Sequence, residues 1–346
     1  MKKFFALIFI ILSHVSFISA CTTFFINKNG QLIFGRNYNW VTDAGMVCTN
    51  LKGLFKTSMK TQDGETISWI SQYGSITFNQ YGKEFPTGGM NEKGLVVELM
   101  WLDETRYPIA DDRPAIGVLQ WIQYQLDNCA TIDEVIASDK KLRIASVGTT
   151  PLHYLIADAK GNAATIEFLE GKMTVHKGND LSQPVLTNSV YDESVKSYKN
   201  SSLGNNSLER FGQACNMIQQ LNAGNSTKPI IDYAFDILAE VAQGNSTKWS
   251  IVYDISNKTI QFRTNRFKQI KTLNFSAFDF NCTATAKVWD MNQAANGNIN
   301  SLFENFTPAI NQRIVETAAK ESSRDIPISE KSIEAQWQYA GGIACH

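Results

Sequence analysis

The pattern of apolar and polar positions predicts blocks of β-strands separated by pairs of helices. Two segments, 22–26 and 31–34, are rich in β-branched and aromatic residues and flank an Asn-Lys-Asn-Gly turn, a pattern typical of a β-hairpin. The segments 66–72 and 75–79 flank Tyr73-Gly74 and are predicted to pair with each other. The same criteria predict strands over 95–102, 151–158, 163–169, 172–177, 184–187, 249–253 and 259–263.

Helices are predicted where apolar residues recur every three or four positions. This spacing indicates a helix over 115–128. Thr131 and Glu134 form a capping-box pattern, which predicts a second, short helix over 132–138. The same periodicity predicts helices over 208–221, 230–242 and 314–320. The polar segment 198–206 is predicted to be a loop, and the tail beyond residue 320 has no assignable pattern.

The order of these elements predicts the fold class. Strands, helices, strands, helices and strands follow one another without regular βαβ alternation, which favours an α+β domain with two mostly antiparallel sheets and helices outside them. The unalternating apolar run 95–102 is typical of a strand buried on both faces. Its one acidic residue, Glu98, therefore needs a hydrogen-bonding partner, and we expect a structural role for it.

The first 20 residues have the pattern of a secretory signal peptide. Lys2 and Lys3 precede an apolar run over 4–12 that is too short to span a bilayer, and small residues precede the predicted cleavage site after Ala20. We therefore expect residues 21–346 to be one exported domain, located in the periplasm or outside the cell. Cys21 would then be the first residue of the mature chain.

An N-terminal cysteine at this place allows two interpretations. A mature Cys21 carries a thiol and a free α-amine, whose pKa near 7.7–8.0 lets it accept the thiol proton around neutral pH. Nucleophile and base would then belong to one residue. The sequence Ile-Ser-Ala-Cys also resembles a lipobox, in which Cys21 would be acylated and would serve only as an anchor for a binding protein.

Composition excludes several classes of function. The net charge of −1 and the absence of a clustered Lys/Arg stripe argue against nucleic-acid binding. Beyond the first 20 residues, no apolar run is long enough to cross a membrane. The four histidines and six cysteines lack the spacing of a metal site, so neither a metal nor another cofactor is expected. An exported protein can form disulfides, but the sequence does not assign their pairing.

Short motifs spread over 21–265 resemble those of the choloylglycine hydrolase family of linear amide C–N hydrolases. This family includes conjugated bile salt hydrolases and penicillin V acylases and belongs to the superfamily of hydrolases with an N-terminal nucleophile (Ntn hydrolases). In order, the motifs are Cys21-Thr22, Phe34 to Trp40 (FGRNYNW), Met90 to Leu95 (MNEKGL), Leu186 to Ser189 (LTNS), Arg210-Phe211, and Trp249 to Asp254 (WSIVYD) with Asn257-Lys258-Thr259.

The resemblance implies a four-layer αββα sandwich and a set of active-site residues. Cys21 would attack an amide carbonyl, and Arg36 would favour its thiolate. Asn188 and the backbone N–H of Trp101 would form the oxyanion hole, and Arg210 would lie close to the nucleophile. The substrate would be a small amide with an apolar acyl group, such as a conjugated bile salt, penicillin V or an N-acyl amide. A homo-oligomer, often a tetramer, is also implied.

One position departs from the family pattern. Family members usually carry an aspartate where this chain has Asn39, and that aspartate is thought to hold the α-amine. An amide oxygen can accept the same hydrogen bond but brings no negative charge. We therefore expect the α-amine of this chain to have a lower pKa than in a relative with the aspartate.

Overall fold

The structure is a computed structural model and describes residues 21–201, 204 and 206–346. Residues 1–20, on which the signal-peptide prediction falls, lie outside the described residues. The strands are β1 Thr22–Lys28, β2 Gln31–Asn39, β3 Met46–Asn50, β4 Leu54–Thr57, β5 Ser68–Ile70, β6 Ser75–Asn79, β7 Pro86–Asn91, β8 Val96–Trp101, β9 Ala115–Ile116, β10 Arg143–Ile144, β11 Leu152–Ala157, β12 Ala163–Leu169, β13 Lys172–Lys177, β14 Val185–Leu186, β15 Thr247–Asp254, β16 Thr259–Thr264, β17 Lys271–Asn274, β18 Lys287–Asp290, β19 Gly297–Asn298, β20 Glu304–Asn305 and β21 Ala344–Cys345. The α-helices are α1 Val118–Asn128, α2 Ile132–Ser138, α3 Tyr191–Lys199, α4 Asn206–Asn222, α5 Ile230–Glu240, α6 Pro308–Ser322 and α7 Glu330–Tyr339.

Two large sheets contain most of the strands. The first sheet has seven strands in the order β14-β1-β2-β15-β16-β17-β19, and the second has nine in the order β13-β12-β11-β8-β7-β6-β3-β18-β20. Their neighbouring strands pair antiparallel, except for β17 and β19. The mostly antiparallel architecture predicted from the order of the elements is therefore confirmed.

Helices cover the outer face of each sheet. Helices α4 and α5 pack on β1, β2 and β15 of the first sheet, and α1 packs on β7 and β8 of the second. The inner faces meet in a large apolar core, where Thr23 of the first sheet contacts the Met100 sulfur of the second at 3.3 Å. This is the predicted four-layer αββα sandwich.

The register of the first hairpin positions the residues that the motifs pointed to. Thr23 lies opposite Arg36 in the β1–β2 ladder. Because side chains alternate along a strand, Cys21 and Thr23 share one face of the sheet with Arg36 and Tyr38. That face is directed toward β8 of the second sheet. The predicted strand 95–102 is confirmed as a central, buried strand, and Glu98 has the predicted partners, Arg36 and Tyr253.

Two predictions of local structure were wrong. The segments 66–72 and 75–79 do not pair, because β5 pairs with β4 and β6 pairs with β3 and β7. Between them, the N–H groups of Gln72 and Tyr73 donate to the Asp127 carbonyl on α1, so the chain passes from one sheet to another at that point. The sequence also missed α3, whose last residues fall in the predicted loop 198–206. Helix α3 packs against α4 and lacks a side-chain N-cap, so its signal was weak.

The C-terminal tail, which had no assignable pattern, is folded. Helix α7 packs against α6, and β21 pairs with β4. A disulfide joins Cys282 to Cys345 and ties the end of the chain to the preceding loop. The described helices include none that is both long and apolar enough to cross a membrane.

Candidate active site

Cys21 lies at the wall of a cavity of about 530 Å³. The residue is buried, with 1% of its surface exposed. The backbone N–H of Asn39 lies 3.5 Å from the Cys21 sulfur, and the Asn39 carbonyl oxygen lies 3.8 Å from it. The return strand of the first hairpin therefore holds the thiol in place. Most of the cavity wall is apolar or aromatic, formed by Tyr38, Trp40, Tyr81, Phe85, Leu99, Trp101, Val118, Leu119, Ile326, Pro327 and Ile328.

Arg36 is buried between the ends of two strands. The paired residues of β7 and β8 end at Gly88 and Glu98. The Arg36 guanidinium lies next to this last pair, between Thr87 and Leu99. It donates to the carbonyl oxygens of Thr87 at 2.9 Å and Leu99 at 3.1 Å. It also forms an ion pair with the fully buried Glu98. Arg36 thus replaces the missing backbone ladder and fixes the strand that carries Trp101.

The positive charge of Arg36 interacts with both Glu98 and Cys21. Burial disfavours the guanidinium, but the Glu98 carboxylate and, more weakly, Cys21 raise the pKa of Arg36 above its ordinary value. Burial also raises the pKa of Glu98 to about 7, although Arg36 and the Tyr253 hydroxyl oppose this shift. Glu98 was predicted to have a structural role with a partner, and in the structure it is the counter-charge of Arg36.

This ion pair gives a pH-dependent prediction for Arg36→Met. Folding raises the pKa of Glu98 from an ordinary 4.5 to about 7. The contribution of Glu98 to the free energy of unfolding is therefore complete below pH 4.5 and is lost as the pH rises to about 7. Without Arg36 the pKa of folded Glu98 rises further, and the loss continues above pH 7 at about 1.4 kcal/mol per pH unit. We expect the gap in unfolding free energy between the wild type and Arg36→Met to widen by roughly 2 kcal/mol from pH 7 to 8.5.

Urea unfolding at pH 5.5, 7 and 8.5 measures this difference. Arg313→Met is the matched control, because Arg313 lies on an exposed helix face and its ion pair with Asp290 is partly solvated. The difference in unfolding free energy between Arg313→Met and the wild type should stay constant between pH 7 and 8.5. Parallel stability curves for Arg36→Met and the wild type above pH 7 would refute the electrostatic coupling between Arg36 and Glu98.

Arg210 connects Cys21 to Asn188. It lies on α4 and is buried, with 2% of its surface exposed. Its guanidinium donates to the Cys21 carbonyl, to Thr22 Oγ1 at 2.7 Å and to Asn188 Oδ1 at 3.0 Å. Asn206, one turn earlier on α4, accepts from Arg210 Nε at 2.9 Å. Burial lowers the pKa of Arg210 to about 10, and Cys21 partly opposes that shift.

Asn188 and Trp101 meet at the end of β8. The Asn188 side-chain amide donates from Nδ2 to the Trp101 carbonyl at 2.8 Å. Trp101 lies opposite Leu152 in the β8–β11 ladder, and the adjacent Leu102 N–H donates to the Pro151 carbonyl oxygen. Trp101 and Leu152 are therefore a non-hydrogen-bonded pair, in which the N–H and C=O groups of Trp101 point away from β11. The Trp101 N–H therefore points to the same side as Asn188. Because an amide has two N–H groups, Asn188 keeps a second donor for a ligand.

The structure thus brings together the six residues predicted from the motifs. Cys21 and Trp101 line the cavity, Arg36 lies behind it, Arg210 contacts Cys21, and Asn188 contacts both Arg210 and Trp101. Asn39 contributes its backbone to the environment of the thiol, and its side chain is buried. Sequence reasoning missed the C-terminal wall formed by 326–329, since the tail carried no recognisable motif. Among the described residues, no group of three or more His, Cys, Asp and Glu side chains could hold a metal ion.

Comparisons with known proteins identify the family of this chain. The model of the linear amide C–N hydrolases, choloylglycine hydrolase family, matches residues 21–219. Penicillin V acylase of Pectobacterium atrosepticum is 31% identical over 198 residues, which is 51% of this chain. The chain spans about half the length, 51%, of this curated relative.

Solved structures support the fold. The penicillin V acylase of Agrobacterium tumefaciens superposes with a TM-score of 0.71 at 24% identity, covering 83% of this chain and 98% of that protein. A mutant of the conjugated bile acid hydrolase of Clostridium perfringens gives a TM-score of 0.65 at 18% identity, covering 80% and 98%. At such identities the likeness concerns the fold alone.

Proposed function

Because the chain belongs to the choloylglycine hydrolase family of linear amide C–N hydrolases, we propose that it hydrolyses a linear amide with Cys21 as N-terminal nucleophile. One observation carries the proposal. Arg210 binds both the Cys21 carbonyl and the Asn188 side chain, so one buried cation links the cysteine at the wall of an apolar cavity to the predicted oxyanion donor.

In the proposed reaction, the α-amine of mature Cys21 takes the thiol proton, directly or through a water. The sulfur attacks the amide carbon, and the C=O π electrons move to oxygen. Asn188 Nδ2 and the Trp101 N–H donate to this oxyanion. Collapse of the tetrahedral intermediate expels the amine, which takes the proton from the α-ammonium, and leaves a thioester. Water then attacks the thioester, the acid is released and the thiol is restored.

The cavity favours a substrate with an apolar acyl group. Its wall carries five aromatic side chains, and Ile326, Pro327 and Ile328 of the C-terminal segment also line it. Trp40 and Trp101 are in contact, with ring centroids 6.4 Å apart. A planar or aliphatic acyl group would bury apolar surface here without leaving a buried polar group unpaired.

The burial of Cys21 favours the nucleophile over the lipid anchor. An acylated cysteine would need its sulfur and its amine to reach the membrane, whereas the Cys21 side chain is enclosed by β2 and the cavity wall. We also propose that the mature chain is exported to the periplasm or the medium and assembles as a homo-oligomer. Intact mass of the exported protein and light scattering test these points, and a lipidated Cys21 would end the amidase proposal.

The central experiment is a hydrolysis panel with purified mature protein. It covers glycine- and taurine-conjugated bile salts, penicillin V and N-acyl homoserine lactones, with release of the free amine as the readout. We expect turnover of at least one class. No turnover in any class, by a protein whose Cys21 is free and reacts with iodoacetamide, would exclude amide hydrolysis for these acyl groups.

Asn39→Asp is expected to move the acid limb of the pH dependence of kcat/KM upward by about one pH unit. A carboxylate beside the α-amine favours its charged form, so the free amine that accepts the thiol proton appears only at higher pH. The measurement is a pH–rate profile from pH 4.5 to 9. Asn29→Asp serves as the control, since Asn29 lies in the exposed turn between β1 and β2, at the other end of the hairpin from Cys21. An unchanged acid limb in Asn39→Asp would contradict the prediction.

A further inference from the structure

His153 is a buried side chain that the proposed reaction does not use. It lies on β11, and none of its surface is exposed. Its Nε2 lies 2.7 Å from the carbonyl oxygen of Thr187, the residue before Asn188. A carbonyl oxygen can only accept, so Nε2 carries the proton and donates.

The Thr187–Asn188 peptide group is held at both of its polar atoms. His153 binds its carbonyl oxygen, and its N–H, which belongs to Asn188, donates to Ser207 Oγ at 2.9 Å. Ser207 in turn donates to Thr187 Oγ1 at 3.0 Å. Fixing both ends of one peptide plane fixes the direction in which the next side chain leaves the backbone. That side chain is the Asn188 amide.

The imidazole of His153 is itself oriented from behind. Its Nδ1 lies 3.1 Å from Glu167 Oε1, and the same oxygen accepts the Tyr191 N–H at 3.1 Å. Glu167 is fully buried. Glu167 therefore holds the ring in the plane that aims Nε2 at Thr187.

From this geometry we propose that His153 is a positioning residue for the oxyanion hole, acting on Asn188 through the Thr187 carbonyl. The inference rests on the proposed amide hydrolysis. Asn188 must meet the oxyanion with its free N–H, and a misplacement of about 1 Å in such a donor can cost about 100-fold in rate. Arg210 fixes the other end of the same amide at Oδ1. His153 and Arg210 would thus set the backbone and the side chain of Asn188 independently.

A pair of substitutions separates this role from simple packing. His153→Gln places an amide N–H near the position of Nε2 and can still donate to Thr187. His153→Asn is polar and of similar shape, but it is too short to reach that carbonyl. We expect His153→Gln to keep kcat within about fivefold of the wild type. We expect His153→Asn to lower kcat by 10- to 100-fold with KM changed less than about threefold.

A double-mutant cycle with Asn188→Ala makes the test specific. If His153 acts through Asn188, the kcat of the double variant His153→Asn/Asn188→Ala should lie within about threefold of the kcat of Asn188→Ala alone. The rate of Cys21 alkylation by iodoacetamide should be unchanged in both histidine variants. His176→Asn is the control: His176 approaches Glu167 to 3.9 Å from the other side but does not contact Thr187, so kcat should stay within twofold.

The outcomes are distinguishable. Equal losses in His153→Gln and His153→Asn, additive effects with Asn188→Ala, or a parallel fall in Cys21 alkylation would each overturn the positioning role while leaving amide hydrolysis intact. A wild-type protein without amidase activity would instead contradict the proposed function. Folded variants are identified by their thermal unfolding, and the Gln–Asn comparison remains decisive because both replacements are neutral amides.

Discussion

Cys21→Ala is expected to lower kcat for amide hydrolysis by at least about 10⁴-fold while the protein stays folded. Removing a nucleophile eliminates the covalent route, and losses of this size are typical of such substitutions. The sulfur lies within hydrogen-bonding distance of the Asn39 backbone, and alanine keeps the Cβ atom, so the substitution removes a single buried atom. The measurement is steady-state hydrolysis of the best substrate of the panel, together with thermal unfolding.

The other free cysteines provide matched controls. Cys48, Cys129 and Cys215 are buried and do not line the cavity. Burial raises the pKa of Cys48 and of Cys129 to about 12, which keeps both thiols protonated and unreactive. Cys48→Ala should therefore retain kcat within about threefold, and iodoacetamide should label one site in the native protein, at Cys21. Turnover by Cys21→Ala near the wild-type rate would refute the nucleophile assignment.

Arg210→Met is expected to lower kcat by roughly 10³-fold, because one side chain holds two parts of the site. Its loss frees the Cys21 carbonyl and the Asn188 amide together. Displacing an oxyanion donor or misaligning a nucleophile typically lowers kcat by about 100-fold or more, and here both effects would occur together. Thiol alkylation kinetics and kcat, measured side by side, separate the effect on the nucleophile from the effect on the oxyanion hole.

Arg210→Lys sharpens this test. A lysine keeps the positive charge but lacks the planar fork that reaches several acceptors at once. If the geometry matters, Arg210→Lys should be nearly as slow as Arg210→Met, whereas a purely electrostatic role predicts recovery in the lysine variant. Arg313→Met, on the exposed face of α6, is the control and should retain full activity. Normal activity in both Arg210 variants would contradict the link between Cys21 and Asn188.

Much of the fold was predictable because its strongest elements have local signals. The first hairpin has a turn between two β-rich segments, and β8 is apolar except for Glu98. The capping box at Thr131 is present in the structure as predicted. The two sheets and their antiparallel pairing followed from the order of such segments. These features depend on residues that are neighbours along the chain.

The errors arose where long-range packing overrides the local pattern. Segments 66–72 and 75–79 look like a hairpin in the sequence, but the Asp127 carbonyl on α1 accepts the N–H groups of Gln72 and Tyr73, and the two strands join different sheets. Helix α3 has few apolar residues and forms on the surface of α4. The tail that builds α7 and closes the cavity has no motif, and the pairing of Cys282 with Cys345 required the three-dimensional contact.

By itself, the sequence determined the family and the six residues of the candidate site, because short motifs and their order are properties of the chain. It also placed Glu98 in a buried strand that required a partner. Only the tertiary structure decided that this partner is Arg36, that Arg210 joins Cys21 to Asn188, and that His153 lies behind Thr187. These contacts join residues between 22 and 189 positions apart, and the packing of the fold, not any local preference, brings them together.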